Sequence, residues 1–246
     1  MIDMKGIFSH SDYTVLVTDF DKVKCDWSVF KPLHREISNN RCPICEVRLT
    51  ESAQGTKATI DHFRPKGEGL YTFLKCDPEN YIVMCEECNN LYKESKFPIY
   101  DDTKRAVNIS ELKTEQNLLI NPARREPTEF FELVFKTLVN GANVLELKRR
   151  SDIAKDSYEY KRCETMIKLF GLGYCDKAKY PNDSAKICRI NLLREHFDMF
   201  YPLAKALDSK DQLEITNILV NHKDRLKQYG FYDFLVKKQF KIQETI

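Results

Sequence analysis

Three stretches decide the fold: Cys42-Pro43-Ile44-Cys45, Thr59-Ile60-Asp61-His62-Phe63-Arg64-Pro65-Lys66, and Cys85-Glu86-Glu87-Cys88-Asn89-Asn90. The first and third are matched Cys-x-x-Cys pairs separated by 39 residues. Such pairs can give four thiolates to one tetrahedral Zn²⁺, each sulfur about 2.3 Å from the ion. Four thiolates fill the tetrahedron, so a zinc on Cys42, Cys45, Cys85 and Cys88 would be structural and would pin the loop between the pairs. The chain has nine cysteines. The count is odd and nothing points to export, which argues against a disulfide framework. Cys25, Cys76, Cys163, Cys175 and Cys188 stand alone and are expected to be small buried hydrophobes. Cys76 lies near enough to the second pair to be an alternative ligand.

Inside the pinned loop, Asp61 and His62 are adjacent. A hard carboxylate beside an imidazole suits a divalent cation together with a general base. Neighbours on a strand point to opposite faces, so a shared site requires a distorted strand end. Residues 46–50 and 57–63 read as two short strands, joined through Gly55 as a hairpin. Trp27 to Ile37 reads as a helix stopped by Asn39-Asn40, with Phe30, Leu33 and Ile37 at helical spacing. Asn89 to Lys96 suits one or two helical turns, closed by Phe97-Pro98. Residues 1–26 give no clear pattern.

Outward from this region the chain changes character. Asn140-Gly141 between two apolar runs signals a type I′ hairpin. Ser151 reads as the N-cap of a helix ending at Gly171 or Gly173. Pro181-Asn182-Asp183 opens another helix toward Asp208, a third covers about 211–228, and a short fourth follows Gly230. The expected fold class is α+β, with a zinc-stabilised unit over 1–105 and a hairpin plus helical region over 106–246. The length of 246 residues fits one large domain or two small ones.

Charge and hydropathy exclude several classes. The net charge of +2 rules out a general polycation, so nucleic-acid binding must use local patches. Residues 148–246 hold 20 Lys/Arg and 14 Asp/Glu, whereas residues 76–102 hold seven acids and two bases. The helical half is thus the better source of attraction to phosphate. No apolar run is long enough to span a membrane and the first residues carry no apolar leader, so a cytoplasmic location is expected.

The order Asp61-His62, Asn80 before an apolar run, Cys85-x-x-Cys88-Asn89 and Lys93 resembles the HNH nuclease motif, the ββα-metal fold, over about residues 42–97. The resemblance implies that His62 is the general base, and that Asp61 and Asn89 hold a catalytic Mg²⁺ or Mn²⁺. Asn80 would brace the loop that orients His62. Asn89 stands where many relatives have His, and Asn90 beside it is an alternative ligand. Asp61 to Lys66, Cys88-Asn89-Asn90, Lys96-Phe97-Pro98, Leu118 to Pro122 and Thr165 to Leu172 narrow the likeness. They resemble the HNH effector nucleases of Septu and retron-associated anti-phage defence systems, over roughly residues 42–173. That resemblance implies phosphodiester hydrolysis, a DNA substrate ahead of RNA, and a partner ATPase. No GxxxxGK[ST] string occurs in the chain, so a nucleotide switch would come from the partner, docked on residues 151–246.

Arg64, Lys66 and Lys93 are candidate phosphate holders. An ordinary imidazole is neutral above about pH 6.5, so activity is expected to rise through that region. Two other functions fit part of the pattern. An RNase cutting tRNA could use the same chemistry. A non-catalytic zinc-ribbon binding module would need the four cysteines but not Asp61, His62 and Asn89 together.

Overall fold

The computed structural model describes residues 1–137, 143–172 and 194–230. At its centre is a two-stranded antiparallel sheet. β1 (Ala58–His62) pairs with β2 (Tyr81–Cys85), in a register that sets Ala58 opposite Cys85 and His62 opposite Tyr81. Every residue of β2 is buried, and in β1 only Thr59 is partly exposed. A short π-helix (Glu87–Lys93) follows β2 after one residue. Its i→i+5 character shows in the Glu94 N–H donating to the Asn89 carbonyl at 2.7 Å. Strand, strand and helix form a ββα unit with a long connection between the strands.

The expected hairpin through Gly55 does not form. Residues 46–50 are not a strand and make only single bridges, Arg41 with Arg48 and Thr50 with Lys57. The first cysteine pair causes this. Cys42 donates its N–H to the Val47 carbonyl and Glu46 donates to the Cys42 carbonyl, which folds the segment into a tight knuckle. Gly55, at φ 77°, makes a turn that docks on the start of the π-helix, where Glu87 donates to its carbonyl.

The first forty residues, unreadable from sequence in part, cover one face of this sheet. A 3₁₀ turn (Lys5–Ser9) leads into α1 (Ser11–Asp19), and a second (Trp27–Phe30) runs directly into α2 (Lys31–Ile37). Asn39 and Asn40 both take left-handed φ near 55° and end α2 as expected. Helix α2 packs on both central strands. Phe30 sets its ring 5.4 Å from that of Tyr81. The knuckle is tied in through Glu46, fully buried, which pairs with the Met1 amino group and accepts the Gly230 N–H at 3.0 Å. A side chain at 230 would meet the Met1 carbonyl, so the close approach requires glycine.

Beyond residue 105, β3 (Phe131–Thr137) and β4 (Asn143–Arg149) pair antiparallel with Thr137 opposite Asn143. The Asn140-Gly141 turn lies outside the described residues. α3 (Tyr158–Phe170) ends at Gly171, φ 63°, but its N-cap is Ser157 and not Ser151. Before it, Asp152 is held by Arg150 and Asp156 takes a left-handed φ of 67°, so the helix starts one loop later. α4 (Arg194–Ser209) and α5 (Gln212–Leu226) pack together. The start expected at Pro181 and the helix expected after Gly230 fall outside the described residues. Core contacts cross residue 105: α3 packs on the π-helix, and Ile99 bridges Asn117.

Under α2, His34 is fully buried and neither ring nitrogen has a partner. Burial pulls its pKa down to about 4. An unfolded histidine titrates near 6.5, so the proton binds the unfolded chain more tightly. The stability this confers is complete above about pH 6.5 and is lost as pH falls toward 4, by up to about 3 kcal/mol. The melting temperature should therefore drop on acidification through that window, and His34→Leu should flatten part of the slope. Identical slopes in the two proteins by thermal melting would remove this account.

Candidate functional site

The sulfurs of Cys42, Cys45, Cys85 and Cys88 are buried and lie within 4.8 Å of one another. Cys45 Sγ is 3.7 Å from Cys85 Sγ. Four sulfurs about 2.3 Å from a common ion at tetrahedral angles stand about 3.8 Å apart, so the spacing fits zinc. Donor chemistry fits as well. Hydrogen bonding to Cys42 pushes Cys45 well above the ordinary thiol range, and burial does the same to Cys88. Four thiolates so close need a cation between them. The Cys88 N–H already points at Cys85 Sγ at 3.4 Å, a typical outer bond to a ligating sulfur. This cluster can hold a zinc ion.

The other end of the sheet carries Asp61 and His62. His62 is 5% exposed and sits between Trp27 and Tyr81, with ring centroids 4.9 and 5.1 Å away, both edge-on. Its Nε2 lies 2.9 Å from the Lys75 carbonyl oxygen. A carbonyl only accepts, so Nε2 carries the proton and Nδ1 keeps the lone pair. Burial pulls the imidazole down to about 4, with the Lys75 carbonyl opposing and the nearby Lys66 and Lys93 charges adding to the fall. The ring is therefore neutral across the physiological range, and the activity rise expected near pH 6.5 does not belong to it.

Asp61 leaves β1 on the opposite face, toward the π-helix. Lys93 meets it there: its ammonium is 2.9 Å from Asp61 Oδ2 and donates to the His62 carbonyl at 2.9 Å. Lys93 is fully buried, so it is not the phosphate holder expected from sequence but the counter-ion of Asp61. Even so, burial pushes the Asp61 carboxyl up to about 6. Four residues before Lys93 on the π-helix, Asn89 donates from Nδ2 to Thr59 Oγ1 at 3.0 Å. Thr59 and Asp61 share one face of β1. Asn89 and Lys93 therefore bear on the same side of the strand. The Asn89 amide oxygen is left as an acceptor, and with a carboxylate it makes a hard-oxygen donor set suited to Mg²⁺ or Mn²⁺. Asn90 is exposed at the neighbouring position.

Asn80 clamps the chain just after His62. Its Oδ1 accepts the Arg64 N–H at 2.8 Å, and its Nδ2 donates to the Arg64 and Leu74 carbonyls at 2.9 and 3.3 Å. The Arg64 guanidinium is occupied by Glu115 at 3.1 Å. Lys66 extends over the Trp27 ring, Nζ 3.4 Å from the centroid, and its charge acts on both Asp61 and His62. Of the three candidate phosphate holders, Lys66 alone has no carboxylate partner among the described residues.

Sequence reasoning missed Trp27 and Lys75, which approach His62 from outside the motif. It also missed that Cys25 and Cys76 are joined in a disulfide, correcting the expectation of two lone thiols and removing Cys76 as a zinc ligand. Their Cα atoms are 5.4 Å apart although 51 residues separate them in sequence. No helix among the described residues is long and apolar enough to cross a membrane.

Together these features define an α+β protein with a buried four-cysteine cluster able to hold a zinc ion, and a carboxylate–imidazole pair at the far end of the same sheet. The chain is similar to the Septu protein PtuB of Bacillus mycoides (strain KBAB4), 29% identical over 170 residues, or 65% of this chain and 50% of that protein. It thus spans about half the length of the curated relative it matches. No family model and no solved structure matches it.

Replacing Cys45 or Cys88 with Ser should release bound zinc and unfold the ββα unit, since metal binding and folding are coupled in small sites. Elemental analysis of wild-type protein should find one zinc per chain. Folded wild-type protein without zinc would end the claim.

Proposed function

We propose that the chain is a metal-dependent HNH endonuclease that hydrolyses phosphodiester bonds in DNA, and that it serves as the effector of a bacterial anti-phage defence system. The observation that carries the reading is His62 itself. It is a neutral imidazole with its proton fixed on Nε2 by a backbone carbonyl, adjacent in sequence to a carboxylate braced by a buried lysine. A structural zinc ribbon has no use for such an arrangement. The likeness to the Septu protein PtuB supports the defence role.

In this mechanism Nδ1 of His62 takes a proton from water as the oxygen attacks phosphorus. The bond to the 3′ oxygen breaks and a 5′-phosphate end remains. The Lys75 carbonyl holds the ring and favours the imidazolium that forms. Lys93 and Asn80 fix the backbone on either side of His62. Lys66 is placed to hold a phosphate. A Mg²⁺ or Mn²⁺ on Asp61 and Asn89 would supply positive charge where charge develops on the leaving oxygen. The Cys₄ zinc takes no part in the chemistry.

The partner ATPase belongs to the same proposal. α5 leaves Leu213 and Val220 exposed at 74% and 66%, seven residues apart and so on one face. Apolar side chains paired in this way suit a protein contact.

The test is incubation of purified protein with plasmid DNA and with tRNA, with and without Mg²⁺ or Mn²⁺. His62→Ala should abolish metal-dependent cleavage and keep zinc and fold. Wild-type cutting by that variant, once contaminating nuclease is excluded, would falsify the assignment. Cleavage of tRNA alone would move the substrate to RNA.

The acid limb of the rate belongs to Asp61. Its carboxyl takes a proton as pH falls through about 6, and a neutral acid binds a cation poorly. Activity should fall below that pH, and raising Mg²⁺ should move the limb to lower pH. A limb near pH 4 that ignores Mg²⁺ would assign it to His62 instead.

A further inference from the structure

Beside Asn80 lies a cavity of about 500 Å³, between the connection that follows β1 and the N-terminal half of α3. Four guanidinium groups line it: Arg64, Arg124, Arg125 and Arg162. Three are neutralised. Arg64 is paired with Glu115, Arg124 with Glu79, and Arg125 with Glu129. Asp77, also in the wall, is pushed toward its neutral form by burial.

Arg162 differs. It is 6% exposed, and no ion pair among the described residues joins it to a carboxylate. Its Nη2 donates to the Leu119 carbonyl at 3.0 Å, while its buried Nε has no partner. The rings of Phe130 and Tyr158, 5.0 and 5.4 Å from its central carbon, offer partial compensation. A buried cation without a counter-ion is costly, and desolvation lowers its pKa accordingly. The cavity lining thus includes a guanidinium with no carboxylate partner among the described residues.

We infer that this cavity is a binding site for a nucleotide, whose phosphate pairs with Arg162. A phosphate supplies the missing negative charge for the guanidinium. The volume lies within the ordinary range for small-ligand pockets. The occupant has two sources with this shared chemistry, a free nucleotide or a nucleotide unit of a bound strand. The site makes no use of His62, Asp61 or a catalytic cation, so it stands or falls apart from the proposed nuclease.

The test is calorimetric titration of the zinc-loaded full chain, without Mg²⁺, using adenosine 5′-monophosphate and, separately, a short oligodeoxythymidylate. At least one should bind saturably. Arg162→Met should weaken that binding tenfold or more while leaving the melting temperature without ligand unchanged or higher, because it removes an uncompensated buried charge. Arg125→Gln, at the exposed rim, should weaken binding by a smaller factor without touching the core. Binding of the monophosphate identifies a free nucleotide, and binding of the oligonucleotide alone identifies a strand. Absence of binding by both probes overturns the inference. So does unchanged affinity in Arg162→Met and Arg125→Gln, or a lower melting temperature for Arg162→Met, which would make the guanidinium structural.

Discussion

Everything at the His62 end depends on the four-sulfur cluster at the other. Cys85 closes β2 and sits opposite Ala58, so the cluster fixes the first pair of a five-residue ladder whose last pair is His62 and Tyr81. Cys88 lies in the π-helix, with Asn89 next in sequence and Lys93 about one turn later. One cluster therefore sets both the strand that carries Asp61 and His62 and the helix that faces Asp61. So small a sheet has little core of its own. Without a cation the four buried sulfurs could not ionise together, and the knuckle would have no reason to hold its place against β2.

The buried Asp61–Lys93 pair is the costly element that this framework supports. Two charges are withdrawn from water, and the attraction between them rarely repays the desolvation. Lys93 recovers part of the loss by donating to the His62 carbonyl as well. The carboxyl nevertheless remains closer to neutrality than an exposed aspartate, at about 6. A second cation beside Asp61 would relieve that tension. Strain of this kind, with electrostatics left unfinished by the fold, is what a binding site for a positive ion requires.

The elements legible in the sequence are those whose signals are local or whose partners repeat a spacing. The paired cysteines, the Asp61-His62 dipeptide, the stop at Asn39-Asn40 and the Gly171 cap are of this kind. The rest was set by distance along the chain. Gly55 signals a hairpin, but knuckle formation at Cys42 to Val47 consumes the backbone bonds that a strand at 46–50 would need. Lysine is ordinarily exposed, and nothing near Lys93 in sequence announces that its partner is Asp61. Cys25 and Cys76 have no shared motif to mark them. Ser151 has the chemistry of an N-cap, yet the Arg150–Asp152 pair holds the chain in a turn at that point, and Ser157 takes the role.

The N-terminal segment shows why those distant pieces matter to one proton. The Lys75 carbonyl that fixes the His62 tautomer belongs to an irregular stretch with no ladder of its own. Its neighbour Cys76 is bonded to Cys25, and Trp27, two residues beyond Cys25, packs edge-on against the imidazole. The Tyr81 hydroxyl donates to the same carbonyl at 2.9 Å, and its ring touches those of Phe20, Phe30 and His62. Two donors thus converge on one oxygen, with aromatic packing on one side and a covalent tie on the other. Were the Lys75 carbonyl to turn away, Nε2 would lose its acceptor and the proton could settle on either nitrogen. Residues 1–40 lie far from the Asp61-His62 dipeptide in sequence, yet they help hold in place the carbonyl contact that sets the His62 tautomer.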